Sequence, residues 1–318
     1  MKNNTVVLAL GLCASLVTSS ALAETRITYK SAKTGSSYYQ MGVQLAEAMK
    51  AGTNGDIIVT VEESQGSVQN VMETKARGGD YVFTTPPVLV KLAQGGKAMF
   101  EGKGDPKFDE IRALFPIPSL TMHFVMSADS GITDFAGMEG KTILLGKGSF
   151  GATEGEKYLK LFGLEGKVNL AEVELSNAVP ALKNGQIDGF VTAGSWPAPN
   201  VIEAAASADV VVLSLSDDQI AETKRSKLVI PAGTYSGQAA DIATTSLPVA
   251  AFTTTAMSDD AAYQLTKTFW ESKATMAEDA PWWKGVDADL MANISTKLHP
   301  GAIRYYTEAG VELTADQQ

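Results

Sequence analysis

The 318-residue sequence predicts an α/β fold of two similar lobes joined by a hinge, and three observations carry that expectation. Short apolar runs alternate with helical patterns along most of the chain, as in strands covered by helices, and point to a largely parallel sheet. The series of strand, Gly/Ser loop and helix occurs twice. Between the two copies, Ile111 to Met126 reads as an extended passage interrupted by Pro116 and Pro118, which suits a crossing between domains.

The first residues form a unit of their own. Lys2 is a short positive region, Val6 to Val17 an apolar run, and Ala21-Leu22-Ala23 a small-x-small cleavage signal before Glu24, so residues 1–23 read as a cleaved secretory signal peptide. The apolar run is shorter than the roughly 20 residues a membrane-spanning helix needs. Export to a bacterial periplasm is the expectation. The one cysteine, Cys13, lies inside this segment behind Leu12, where lipoprotein processing wants a small residue, so no lipid anchor is expected. The mature chain then has no thiol for a disulfide, a nucleophile or a metal. It carries 25 basic and 36 acidic residues, a formal charge of −11 scattered without long blocks, which argues against nucleic acid as a partner. About 295 residues remain, more than one core ordinarily serves.

In the first copy, Ile27-Thr28-Tyr29 reads as a strand, and Met41, Leu45, Ala48 and Met49 as the apolar stripe of a helix. Ile57 to Val61 is a strand, Val68 to Arg77 a helix stopped by Gly78-Gly79, and Tyr81-Val82-Phe83 a third strand. In the second copy, Thr142 to Leu145, Val168 to Val173 and Phe190-Val191 read as strands, with helices over Ala152 to Phe162 and Ala178 to Lys183 between them. The Gly/Ser loops are Thr34-Gly35-Ser36-Ser37 and Gly146-Lys147-Gly148-Ser149. Leu247 to Phe252 is apolar again and Asp259 to Met276 is helical, as if the chain returned to the first lobe. The division expected is 24–122 plus 247–318 for lobe I and 123–246 for lobe II.

Gly146-x-Gly148-x-x-Gly151, between a strand and a helix with Glu172 and Glu174 beyond it, has the form of a dinucleotide fingerprint. The physics is less specific: glycines let backbone N–H groups at a helix N-terminus face any anion, a carboxylate included. Because such a loop occurs in both halves, two helix ends facing one cleft is the favoured reading. Gly140-Lys141-Thr142 lacks the earlier glycine of a P-loop, where Phe135 stands, and Ser149 lacks that of a nucleophile elbow, where Lys147 stands. His123 lies in an apolar strand and reads as structural, and no metal-ligand spacing is present. No cofactor, metal or catalytic residue is expected.

What remains is small polar residues after strands or at helix starts, where ligands of open α/β sheets bind. They are Ser36, Ser37 and Tyr38; Gly66, Ser67 and Asn70; Thr84 and Thr85; Lys147, Gly148 and Ser149; Thr192, Gly194, Ser195 and Trp196. For any one of them, capping or turn formation serves as well as ligand contact. Lys33 and Lys147 are candidate counter-charges, and Trp196 a candidate cleft wall.

Gly35-Ser36-Ser37-Tyr38-Tyr39, Gly66-Ser67-Val68-Gln69-Asn70, Gly185-Gln186-Ile187-Asp188, Ile230-Pro231-Ala232-Gly233-Thr234-Tyr235 and the stretch His299-Pro300-Gly301 to Gly310 follow one another in an order that resembles the TAXI-type receptors of tripartite ATP-independent periplasmic (TRAP) transporters. The resemblance covers nearly all of the mature chain. It implies a type II periplasmic-binding-protein fold and a monomer that captures a small polar, anionic solute of the dicarboxylate or acidic amino acid class between its lobes. It also implies delivery to an integral membrane TRAP permease subunit. By carry-over, Tyr38, Ser67, Asn70, Ser149 and the Gly194 to Pro197 loop would touch solute, and the terminal His-Pro-Gly segment would be structural. Gly148-Ser149-Phe150 and Pro86-Pro87 depart from the family pattern beside the cleft. A periplasmic α/β enzyme and a ligand-binding partner of a membrane sensor are the alternatives.

Overall fold

The computed structural model describes residues 24–147 and 149–318; the expected signal peptide, 1–23, and Gly148 lie outside the described residues. Strand β1 (Thr25–Lys30) leads into α1 (Ser37–Gly52), β2 (Ile57–Glu62), α2 (Ser67–Glu73), β3 (Tyr81–Thr85) and α3 (Pro87–Gln94). The long β4 (Ile111–Ser127) then crosses the molecule. Next come β5 (Thr142–Leu144), α4 (Phe150–Leu161), β6 (Asn169–Ala171), α5 (Ala178–Lys183), β7 (Gly189–Gly194), α6 (Pro199–Ser207), β8 (Val210–Val212), α7 (Asp217–Thr223) and β9 (Ser226–Ile230). A second long strand, β10 (Ile242–Thr254), returns, followed by α8 (Asp259–Asp279) and α9 (Pro300–Glu308).

The strands form one curled sheet in the order β2-β1-β3-β10-β4-β7-β5-β6, with β8 on β4 and β9 on β10. The architecture is α/β, the two-lobed periplasmic-binding-protein fold the sequence predicted. Its sheet is less parallel than the alternation of strands and helices suggested. Pairing is parallel on the flanks, β2-β1-β3 and β7-β5-β6, where helical crossovers connect the strands. It is antiparallel in the middle, where β10 pairs with β3 and β4, and β4 with β7.

The two long strands join the flanks. Leu247 pairs with Leu120 and Val249 with Ile117, so Pro118 and Ser119 on β4 oppose the single Pro248 on β10. This is a β-bulge with a proline on each side, at positions that need no ladder N–H. The prolines that read as an interruption thus mark a bend inside a continuous strand.

Around β1 and β3 the core is aromatic and aliphatic, with α1 and α8 packed over it. Phe115 of β4 stacks on Phe269 of α8 at a centroid distance of 4.1 Å. A separate buried cluster, including Val179, Leu182, Phe190 and Val201, forms where α5 packs on β7 and α6. His299 caps α9: its Nδ1 accepts the Gly301 N–H, and its Nε2 faces the Met257 carbonyl at 3.2 Å. Helix α2 ends at Glu73, earlier than Arg77, and Pro87 starts α3 at the first-turn position where a proline ring costs no hydrogen bond.

Candidate functional site

A cavity opens beside the proline bulge, where the starts of α1, α2 and α4 meet. The space in it open to the centres of water molecules is about 60 Å³, and the whole recess, with the solvent at its mouth, about 610 Å³. Ser36, Tyr38, Gly66, Ser67 and Thr84 line one side, and Ser149, Gly151 and Ala193 the other. Ser67 and Ser149, 82 residues apart in the chain, therefore share one cavity.

Local sequence explains why these residues face it. Ser36 is the N-cap of α1, accepting the Tyr39 N–H at 3.3 Å and donating to the Lys33 carbonyl at 2.7 Å. Ser149 caps α4 in the same way, accepting the Ala152 N–H at 2.9 Å. Gly66 precedes α2 at φ +106° and ψ −162°, a conformation open to glycine and costly to other residues, so no side chain stands between the first turn of α2 and the cavity. Ser67 is buried against the cavity, and its hydroxyl makes no hydrogen bond within the described residues. Tyr38 donates its phenol to the Pro118 carbonyl at 2.9 Å, tying α1 to the bulge; burial holds its pKa far above the usual tyrosine value.

Two contacts clasp the halves together near the cavity. Ser37 accepts the backbone N–H of Ser195 at 2.9 Å, with both residues buried. Lys33, on the cavity wall, pairs with Glu174 at 3.1 Å. Lys30, the last residue of β1, belongs to a separate, partly exposed cluster in which it and Arg77 share Glu62 and Glu73. Arg77 holds the Glu62 carboxyl below its ordinary range.

A family model for the NMT1-like family matches residues 30–310. The chain belongs to the NMT1-like family. It is accordingly a solute-binding protein, of a kind that works with membrane transporters, and not an enzyme. Among solved structures, the periplasmic binding protein BugD is similar in fold, with a TM-score of 0.56 at 11% identity over 90% of this chain and 98% of that one. A protein from Bordetella bronchiseptica RB50 aligns with a TM-score of 0.51 at 14% identity, covering 93% of this chain and 85% of the other.

The remaining residues singled out in this NMT1-like chain fall elsewhere. Asn70 is fully buried; its amide spans the Ser31 and Thr84 carbonyls at 2.7 and 2.8 Å, joining β1 to β3 behind the cavity. Thr85 and Thr192 are buried in their strands off the cavity wall. Lys147 points outward and pairs with Glu172 at 2.8 Å, which raises its pKa. Gly194 and Ser195 serve the clasp to Ser37. Trp196 borders a second recess on the other side of the bulge, together with Pro118, Pro248 and Trp282. His123 is buried and faces the Tyr235 hydroxyl at 2.8 Å, and desolvation pulls its pKa down to about 4, so it is neutral at pH 7.

Sequence reasoning missed the apolar part of the wall: Leu120, Leu145, Leu175, Val191 and Val249. In the sequence these are ordinary strand or turn hydrophobics. Only the curl of the sheet turns them inward together.

Proposed function

We propose that this protein is the periplasmic receptor of a TAXI-type TRAP transporter, exported by residues 1–23, monomeric, and loaded with a small carboxylate between lobe I (24–122 plus 247–318) and lobe II (123–246). The observation that carries the reading is the shared cavity, with a capping serine from each half on its wall. The Ser149 hydroxyl accepts from Ala152 and keeps its own hydrogen to donate; Ser67 is free to donate as well. A carboxylate between them takes one oxygen to each. The first-turn N–H groups of α1 and α4 add favourable potential, and so does Lys33.

Such a solute makes contacts with both halves that neither offers alone, so binding shifts the population toward the closed form. The bulge at Pro118 and Pro248 is where β4 and β10 would bend. The order of the Gly35–Tyr39, Gly66–Asn70 and His299–Gly310 segments supports the TAXI assignment. Native mass spectrometry of freshly purified protein tests the ligand class: a retained anionic carboxylate supports the reading, and a retained cation or nucleotide overturns it. Sodium-driven uptake in vesicles carrying the cognate TRAP permease tests the transporter. Uptake that instead needs ATP would reassign the chain to another transporter type.

A further inference from the structure

We infer that the solute is a monocarboxylate with a short, uncharged aliphatic body, in place of the dicarboxylate or acidic amino acid the sequence implied. This rests on the cavity being the solute site. Polar groups and apolar groups divide the wall between them. Donors with a hydrogen to spare, Ser67 and Ser149, belong to the helix starts. Of the other polar side chains on the wall, Thr84 is engaged with the Tyr29 hydroxyl at 2.7 Å, Tyr38 with the Pro118 carbonyl, Ser36 with the Lys33 carbonyl and Ser31 with the Tyr38 carbonyl, and the exposed Gln65 adds one uncharged amide.

The rest of the enclosure is hydrocarbon, drawn from both long strands and the second half: Leu120, Val249, Leu145, Leu175, Val191 and Ala193. Only one charged side chain, Lys33, lines the cavity among the described residues, and it already pairs with Glu174. A second carboxylate would enter this hydrocarbon enclosure with no cation to meet it, and burying an unpaired charge is far costlier than burying methylene groups. A methylene chain in the same place gains from leaving water.

The test is calorimetric titration of the full-length mature protein, stripped of retained solute by unfolding and refolding, with hexanoate, 4-methylpentanoate, glutarate and L-glutamate. The expected result is at least tenfold tighter binding of the two monocarboxylates. Leu175 is half-buried in a turn at the cavity edge. Leu175→Ala should weaken hexanoate about tenfold and leave glutarate unchanged, and Leu175→Arg should reverse the preference by giving a second carboxylate its cation. Glutarate or L-glutamate binding wild type as tightly as hexanoate overturns the inference while leaving the carboxylate receptor intact. Binding of none of the four overturns both readings.

Discussion

Adding one methyl group at Gly194 should open the clasp without touching the solute. A Cβ built there lies 2.7 Å from Ser37 Oγ and 3.9 Å from Ser37 Cβ, with nothing else within 4 Å. Ser37 Oγ is the acceptor for the Ser195 N–H at 2.9 Å, so Gly194→Ala must displace the one atom that satisfies that donor. Both residues are buried, and a buried N–H left without a partner costs about 1–3 kcal/mol. In the proposed closure α1 and the end of β7 come together, and on that reading the cost falls on the closed form. At about 1.4 kcal/mol per factor of ten, solute affinity should fall about 5- to 150-fold. Calorimetric titration reads the affinity, and small-angle scattering with saturating solute reads the closure. Ser37→Ala removes the same acceptor, so the double variant should bind no more weakly than Ser37→Ala alone. Wild-type affinity in Gly194→Ala, or two losses that simply add, would refute the reasoning.

Other positions give independent checks. His123 has its pKa lowered by burial to about 4, against about 6.5 unfolded. The stability it permits is therefore complete above pH 6.5 and lost as pH falls toward 4, by about 2 kcal/mol at pH 5. Urea midpoints at pH 7 and pH 5 should show that difference in wild type and lose it in His123→Gln. Gly301 of α9 lies against α8, where a Cβ would press on the Asp259 carbonyl and the Tyr263 amide, both backbone. Gly301→Ala should cost about 3 kcal/mol in denaturant unfolding. Arg225 pairs with the buried Glu154 at 2.8 Å, joining α4 to the segment after α7. Arg225→Ala should cost about 3 kcal/mol by stranding that carboxylate, whereas replacing both residues with hydrophobics of similar size should cost much less.

Local signals in the sequence were enough to find the frame of this molecule. The apolar stripe at Met41, Leu45 and Met49 and the alternating runs at Ile27 and Ile57 needed no tertiary information, and α1, β1 and β2 lie where they put them. The Gly/Ser loops were legible as helix starts because capping is chemistry within four residues, as Ser36 and Ser149 show. What was hidden is set by contacts distant in sequence. Trp196 reads as a cleft wall from its neighbours, yet the turn after Gly194 carries it to the far side of the bulge. Lys147 reads as a counter-charge, but Glu172 reaches it from the β6 side and holds it outside. Asn70 has the residue type of a ligand contact, but its amide nitrogen is taken by the Ser31 and Thr84 carbonyls behind the cavity, and only its buried Oδ1 is left without a partner among the described residues. Leu120 and Val249 face the cavity through the stagger of two long strands at a two-against-one bulge, which no single segment encodes.

The most direct measurement is a crystal structure of the protein carrying its retained solute. Density for a carboxylate bridging Ser67 and Ser149, with its body against Leu145 and Val191, is the predicted result. Solute found instead in the recess between Trp196 and Trp282, with only water beside Ser67, would contradict the account.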